Sequence, residues 1–320
     1  MRRRNAHVIA LMLSYSLTSA AAGQERPELD SVTSKQKWVR FAVVQGRILV
    51  VAPRRENGVL SSPDDALVRE SFGVHARGSE TLVHYERTCS RCAVRFRFHN
   101  ARALDIERVP TEAGDTAPLA FHQPAAGPIS VQIGQGTGAR RVAFPSIWHL
   151  LLAEPRWARD EVVPLLQRLR PDWRFLDDAA AIETALLCSE PIPASEAWAR
   201  MLGDLGESRF SVRQAAERRL LAEGPRILPF LEQLDVHALN PEQRARVASI
   251  RAALDGGIED SPARVVAWLE NDPRLWSDWR EHGTPEHKTL AALRLARLAS
   301  PSDTAGSSEA SLVRTGALRR

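Results

Sequence analysis

A chain of 320 residues with 44% hydrophobic and 26% charged side chains is long enough for one large domain or two modest ones, and too apolar to be disordered throughout. Aromatics at 6%, with 18 Gly and 20 Pro, exclude a collagen-like or low-complexity protein. The formal charge of +4 sits mostly at the extreme N-terminus: without Arg2, Arg3 and Arg4 the 43 basic side chains fall to 40 against 39 acids, so no overall positive field steers the chain to nucleic acid and none is expected as a partner.

The chain opens with a basic start, Met1 to Arg4, then a mostly apolar stretch from Ala6 to Leu17, then Ala20, Ala21 and Ala22, the small residues that a signal peptidase needs. This order predicts a secretory signal peptide over residues 1–22, a linker over 23–35, and export to the periplasm or the extracellular space. No later run reaches the ~18 apolar residues of a membrane span, so no transmembrane segment is expected after signal removal.

From Trp38 to Phe144, short segments rich in Val, Ile, Phe and Thr alternate with turn residues. They predict strands over Trp38 to Val44, Arg47 to Ala52, Leu67 to His75, Thr81 to Thr88, Cys92 to His99, Leu104 to Val109, Ile129 to Ile133 and Arg140 to Phe144. Gln45-Gly46, Asn57-Gly58 and Arg77-Gly78 read as turns because Gly tolerates positive φ. The stretch 110–128 carries four Pro and two Gly and reads as a loop, with at most a short strand near Leu119 to Phe121. The expectation for residues 36–144 is an antiparallel β domain, a small sandwich or a partly open barrel.

Cys89-Ser90-Arg91-Cys92 falls at a turn between two of these strands. Three states fit the pair: a local disulfide, which an oxidising compartment permits; two free thiols; or metal ligation together with His84 and His99, a nitrogen and sulfur set that zinc accepts. Redox catalysis of the thioredoxin type needs a helix after the motif, and Ala93 to His99 alternates as a strand instead. Cys188 follows Ala185, Leu186 and Leu187 in a helical run and reads as a small core residue. Arg95, Arg97 and His99 share one strand face opposite Val94, Phe96 and Phe98, with Arg87, Arg91 and Arg102 close in sequence, a candidate surface for an anionic ligand.

After Pro145 the apolar period lengthens to three and four residues, first at Ile147, Leu150 and Leu151, then at Val162, Leu165, Leu166 and Leu169. Helices are predicted to about Cys188 and then over 194–204, 208–222, 225–234, 241–254, 262–270, 273–281 and 285–299, making residues 145–300 an α-helical domain with a disordered tail over 301–320. Asn240-Pro241, Ser261-Pro262, Asp272-Pro273 and Thr284-Pro285 each place a polar N-cap before a proline at the first helical position. Asp177-Asp178 likewise marks a helix start.

Val212-Arg213-Gln214-Ala215-Ala216 stands 31 residues before Gln243-Arg244-Ala245-Arg246-Val247, and Asn240-Pro241-Glu242-Gln243-Arg244 is echoed 44 residues later by Thr284-Pro285-Glu286-His287-Lys288. The stretch from Phe210 to Leu220, followed by Gly224-Pro225 and Leu228-Pro229-Phe230-Leu231, resembles the HEAT-like repeat family over about residues 204–254. Beyond that range Trp268, Trp276 and Trp279 replace small residues, so the helical repeat is irregular. The pairing of a β region with a Trp-rich half containing Ile147-Trp148-His149-Leu150-Leu151 and Leu169-Arg170-Pro171-Asp172-Trp173 resembles a group of uncharacterised exported bacterial proteins, which brings no activity with it. The HEAT-like resemblance implies a scaffold for a protein or peptide.

Motifs of catalysis are missing from the sequence: it has no GxSxG, no HExxH and no phosphate loop, and Gly134-Gln135-Gly136-Thr137-Gly138 reads as a hairpin turn. His282 and His287 are five apart with Pro285 between them, so they do not share a helical face as metal ligands would. Seven of the eight Trp lie in the helical half, most of them expected in its core. The whole chain therefore reads as α+β, an antiparallel β domain followed by an irregular all-α repeat. The expected function is a non-catalytic exported scaffold without a cofactor; the alternative is a metal-dependent enzyme or binding module at the Cys89/Cys92 turn.

Overall fold

A computed structural model describes residues 32–51, 57–63, 68–77, 80–111, 116–189, 195–255 and 258–299. The predicted signal peptide, most of the linker, the tail and part of the Arg77-Gly78 turn lie outside the described residues.

The fold is α+β, with antiparallel strands first and helices after. The first hairpin joins β1 (Arg40–Val44) to β2 (Arg47–Val51). Its turn residues Gln45 and Gly46 have φ of 51° and 66°, the left-handed pair that a two-residue hairpin demands. The next eight strands are β3 (Asn57–Ser61), β4 (Arg69–Arg77), β5 (Glu80–Thr88), β6 (Cys92–His99), β7 (Ala103–Pro110), β8 (Leu119–Gln123), β9 (Ile129–Ile133) and β10 (Arg140–Phe144). They form an eight-stranded meander in which each strand pairs with its chain neighbour. The sheet does not close into a barrel; β3 and β10 are its edges.

Alternation sets the two faces of the meander. Phe72, Tyr85, Phe96, Ile106, Phe121 and Val131 stand in one cross-strand row, and all six are buried. The β1–β2 hairpin covers this face, with the Phe41 ring 5.3 Å from Phe98 and 6.4 Å from Phe72. Gln123, fully buried, seats the hairpin: its Oε1 accepts Ile48 N–H at 2.9 Å and its Nε2 donates to Ile48 O at 2.8 Å.

Two expectations fail in this half. Asn57-Gly58 is not a turn but the start of β3, paired with His75 and Val74. The glycine serves close approach, because a Cβ there would lie 2.6 Å from the Trp38 ring. The end of the expected linker, Val32–Lys35, is a docked helical turn, α1: Val32 N–H donates to Glu70 at 2.8 Å and the Thr33 hydroxyl to Arg168 O at 2.6 Å.

The helices are α2 (Ile147–Ala153), α3 (Pro155–Trp157), α4 (Val163–Leu169), α5 (Phe175–Cys188), α6 (Ser195–Asp204), α7 (Phe210–Ala222), α8 (Leu228–Glu232), α9 (Pro241–Asp255), α10 (Pro262–Leu269), α11 (Pro273–His282) and α12 (Pro285–Ala299). A π turn, Ala158–Val162, joins α3 to α4. All four predicted proline-marked caps form: Asn240 Oδ1 accepts Gln243 N–H at 2.8 Å, Ser261 Oγ accepts Arg264 N–H at 3.4 Å, Asp272 accepts Arg274 N–H at 2.9 Å and Thr284 Oγ1 accepts His287 N–H at 3.3 Å. Asp177 and Asp178 instead lie inside the first turn of α5. Cys188 is exposed rather than in the core, because α5 buries Phe175, Ala179, Ile182 and Leu186, and the residue two on from Leu186 turns away.

Buried side chains do not divide where the secondary structure does. Helices α2, α4, α5, α10 and α11 contribute to one continuous core with the sheet, while Trp198, Leu205, Ala216, Leu220, Ile227, Leu231, Val247 and Ile250 of the α6–α9 region form a second. The chain thus leaves the main core after α5, builds a satellite of four helices, and returns. Among the described residues no helix is long and apolar enough to cross a membrane.

Candidate functional site

The meander's second face presents polar side chains to solvent. Register aligns Gly73, His84, Arg97, Asp105, His122 and Ser130 in one row and Glu86, Arg95, Glu107 and Gln132 in the next. The sequence-predicted residues Arg95, Arg97 and His99 all lie on this face. Arg95 Nε donates to Glu86 at 2.9 Å, with 42% and 45% of the two side chains exposed. Glu86 first, then Glu107, raises the Arg95 pKa. His99 Nε2 stands 3.9 Å from Asp105, which lies 2.6 Å from His122 Nδ1. Arg97 has no hydrogen-bonding or ion-pair partner among the described residues. His84 lies flat over Gly73, where a Cβ would come within 2.1 Å of its ring, and stacks 5.6 Å from His75. Burial, then His75, lowers the His84 pKa. At the same end, Asn57, His75, Arg77, Leu82, His99 and Asn100 line a wide, open cleft of about 840 Å³.

Cys89 and Cys92 flank the β5–β6 turn as free thiols. The alternative metal set His84, Cys89, Cys92 and His99 is not brought together. His84 and His99 lie down the strands from the turn, about 16 and 23 Å away at ~3.3 Å per residue. They also point to the face opposite the cysteines, since Cys92 shares the parity of buried Val94 and Phe96. Among the described residues no group of three or more metal-type side chains converges.

Sequence reasoning missed two carboxylates, one buried and one partly buried, that knit the main core. Asp272, with no exposure, accepts the Arg274 guanidinium at 2.8 and 2.9 Å and lies 3.2 Å from His149 Nε2; His149 Nδ1 lies 2.8 Å from Ser146 Oγ. Arg274 continues to Glu232 of α8 at 2.9 Å, so this relay also reaches the satellite. These are the residue types of an acyl-transfer triad, but Ser146 is 3% exposed, caps α2 by accepting His149 N–H, and is overlaid by Gly46, where a Cβ would sit 2.5 Å away. The arrangement cross-links helices instead of facing a substrate. Asp260 accepts Gln45 N–H at 2.8 Å, Gly46 N–H at 2.6 Å and the Trp148 indole at 2.7 Å, pinning the first hairpin to α2 and to the segment before α10. Neighbouring Glu259 receives Arg40 and Arg170. The one available signal was Asp272 before proline, and it reported only the cap.

No protein-family model matches the chain, and no curated protein or solved structure matches it.

Proposed function

We propose that this is a non-catalytic scaffold of the exported compartment that holds an acidic segment of a protein or peptide partner on the open face of its meander. The observation that carries the reading is Arg97, a solvent-facing cation with no hydrogen-bonding or ion-pair partner among the described residues, in the middle of a polar sheet face where Arg95 is paired with Glu86 and His122 with Asp105. An extended peptide laid along β6 meets Arg95, Arg97 and His99 at successive outward positions, and its carboxylates supply the acceptor that Arg97 lacks. The α6–α9 satellite, with its own core and the sequence resemblance over residues 204–254, is read as a HEAT-like helical unit that extends the scaffold.

Crosslinking in the native envelope, with the crosslinked residues mapped by mass spectrometry, tests this. Crosslinks from β4–β8 to an acidic stretch of one defined partner are expected, weakened about tenfold, or ~1.4 kcal/mol, by Arg95→Ala with Arg97→Ala. Crosslinks confined to other surfaces, or unchanged in the double variant, would refute it.

A further inference from the structure

We propose that Cys89 and Cys92 are a redox pair that closes to a disulfide by exchange with small-molecule disulfides and so locks the β5–β6 turn. The two residues continue the register of the Thr88–Ala93 pair, and Cys89 N–H donates to Cys92 O at 3.0 Å. Residues opposed in this way stand roughly 5.5 Å apart at Cα, inside the range of roughly 4.4–6.8 Å that a disulfide spans. Both side chains leave the same side of the sheet, and the Cys89 thiol already points at its partner, donating to Cys92 O at 3.4 Å. Thr111 N–H holds the turn by donating to Arg91 O at 3.0 Å, so closure requires no large backbone movement.

The two sulfurs are not equivalent. Cys92 packs against the main core, while Cys89 sits at its rim. Burial works to raise the Cys89 thiol, but backbone hydrogen bonds to Cys92 and Arg91 and the Arg87 charge outweigh it and hold the thiol below its ordinary value. Burial, then the Cys89 sulfur, pushes Cys92 up. Cys89 is accordingly the attacking thiolate. It attacks one sulfur of a disulfide such as oxidised glutathione; that S–S bond breaks, one glutathione leaves as thiolate and takes up a proton, and a mixed disulfide remains. Cys92 then loses its proton, attacks the Cys89 sulfur and expels the second glutathione. Two protein thiols are oxidised by two electrons, and one small disulfide is reduced to two thiols.

Full-length protein carrying Cys188→Ser, equilibrated across reduced and oxidised glutathione mixtures, acid-quenched and alkylated, gives the test by intact mass. Both thiols should escape alkylation together through one transition, and peptide mapping should recover a Cys89–Cys92 linkage. Adding Cys92→Ser should trap glutathione on Cys89 at least tenfold faster than Cys89→Ser traps it on Cys92. Two thiols that alkylate fully across the whole series, or adducts that form equally fast on either cysteine, would overturn the proposal; the mapping experiment needs no variant of the pair itself.

Discussion

The buried relay around Asp272 and the open face around Arg97 use the same residue types under opposite conditions. Inside, each carboxylate has fixed partners from separate elements of the fold, and the low dielectric makes those contacts strong and their loss costly. Outside, water and salt screen the pairs, side chains retain freedom, and Arg97 has no partner among the described residues. Charges in this molecule therefore divide by setting: the interior set ties the sheet, the main helices and the satellite together, and the surface set is the one that the proposed function gives to a partner.

The sharpest break in that comparison comes from Asp272→Ala. It removes a cap, leaves buried His149 without the carboxylate it contacts and leaves Arg274 with Glu232 alone, and a loss of about 3–5 kcal/mol is expected in urea unfolding. A loss below about 1 kcal/mol would place the relay with the surface pairs. Acid provides a gentler probe. Burial works against the Asp272 charge, but His149 and Arg274 hold its carboxyl well below the usual carboxylate range. Its contribution is therefore present above the unfolded-state value of ~3.9 and is lost as pH falls below it toward the folded value. Burial pushes Asp260 up despite its three donors, so its contribution runs the other way, favouring the fold at low pH. Asp272→Asn should consequently flatten the acid limb of the stability profile, while Asp260→Asn should steepen it. Parallel acid limbs in the two variants would contradict the assignment.

What could be foreseen from sequence was local. The strand from Cys92 to His99 and the four proline-marked caps appear as predicted because alternation and capping involve residues within a few positions of one another. Asn57-Gly58 misled because the same dipeptide that favours a turn also gives a strand room beneath Trp38, and Trp38 is far along the chain. The split into two cores was not legible, since it depends on contacts such as Gln45 with Asp260, 215 residues apart. The candidate face was legible by halves: Arg95, Arg97 and His99 follow from period two, whereas Asp105, His122 and His84 join them only through strand register.

The division of roles is tested most directly by measuring binding and stability together on the Arg95→Ala, Arg97→Ala double variant, with a fluorescein-labelled Glu-rich peptide as the probe. Peptide affinity is predicted to fall about tenfold, with the deficit shrinking in high salt, while the urea midpoint shifts by no more than about 0.5 kcal/mol in stability. Unchanged affinity, or a fall in affinity matched by a comparable loss of stability, would contradict a sheet face kept free for a partner.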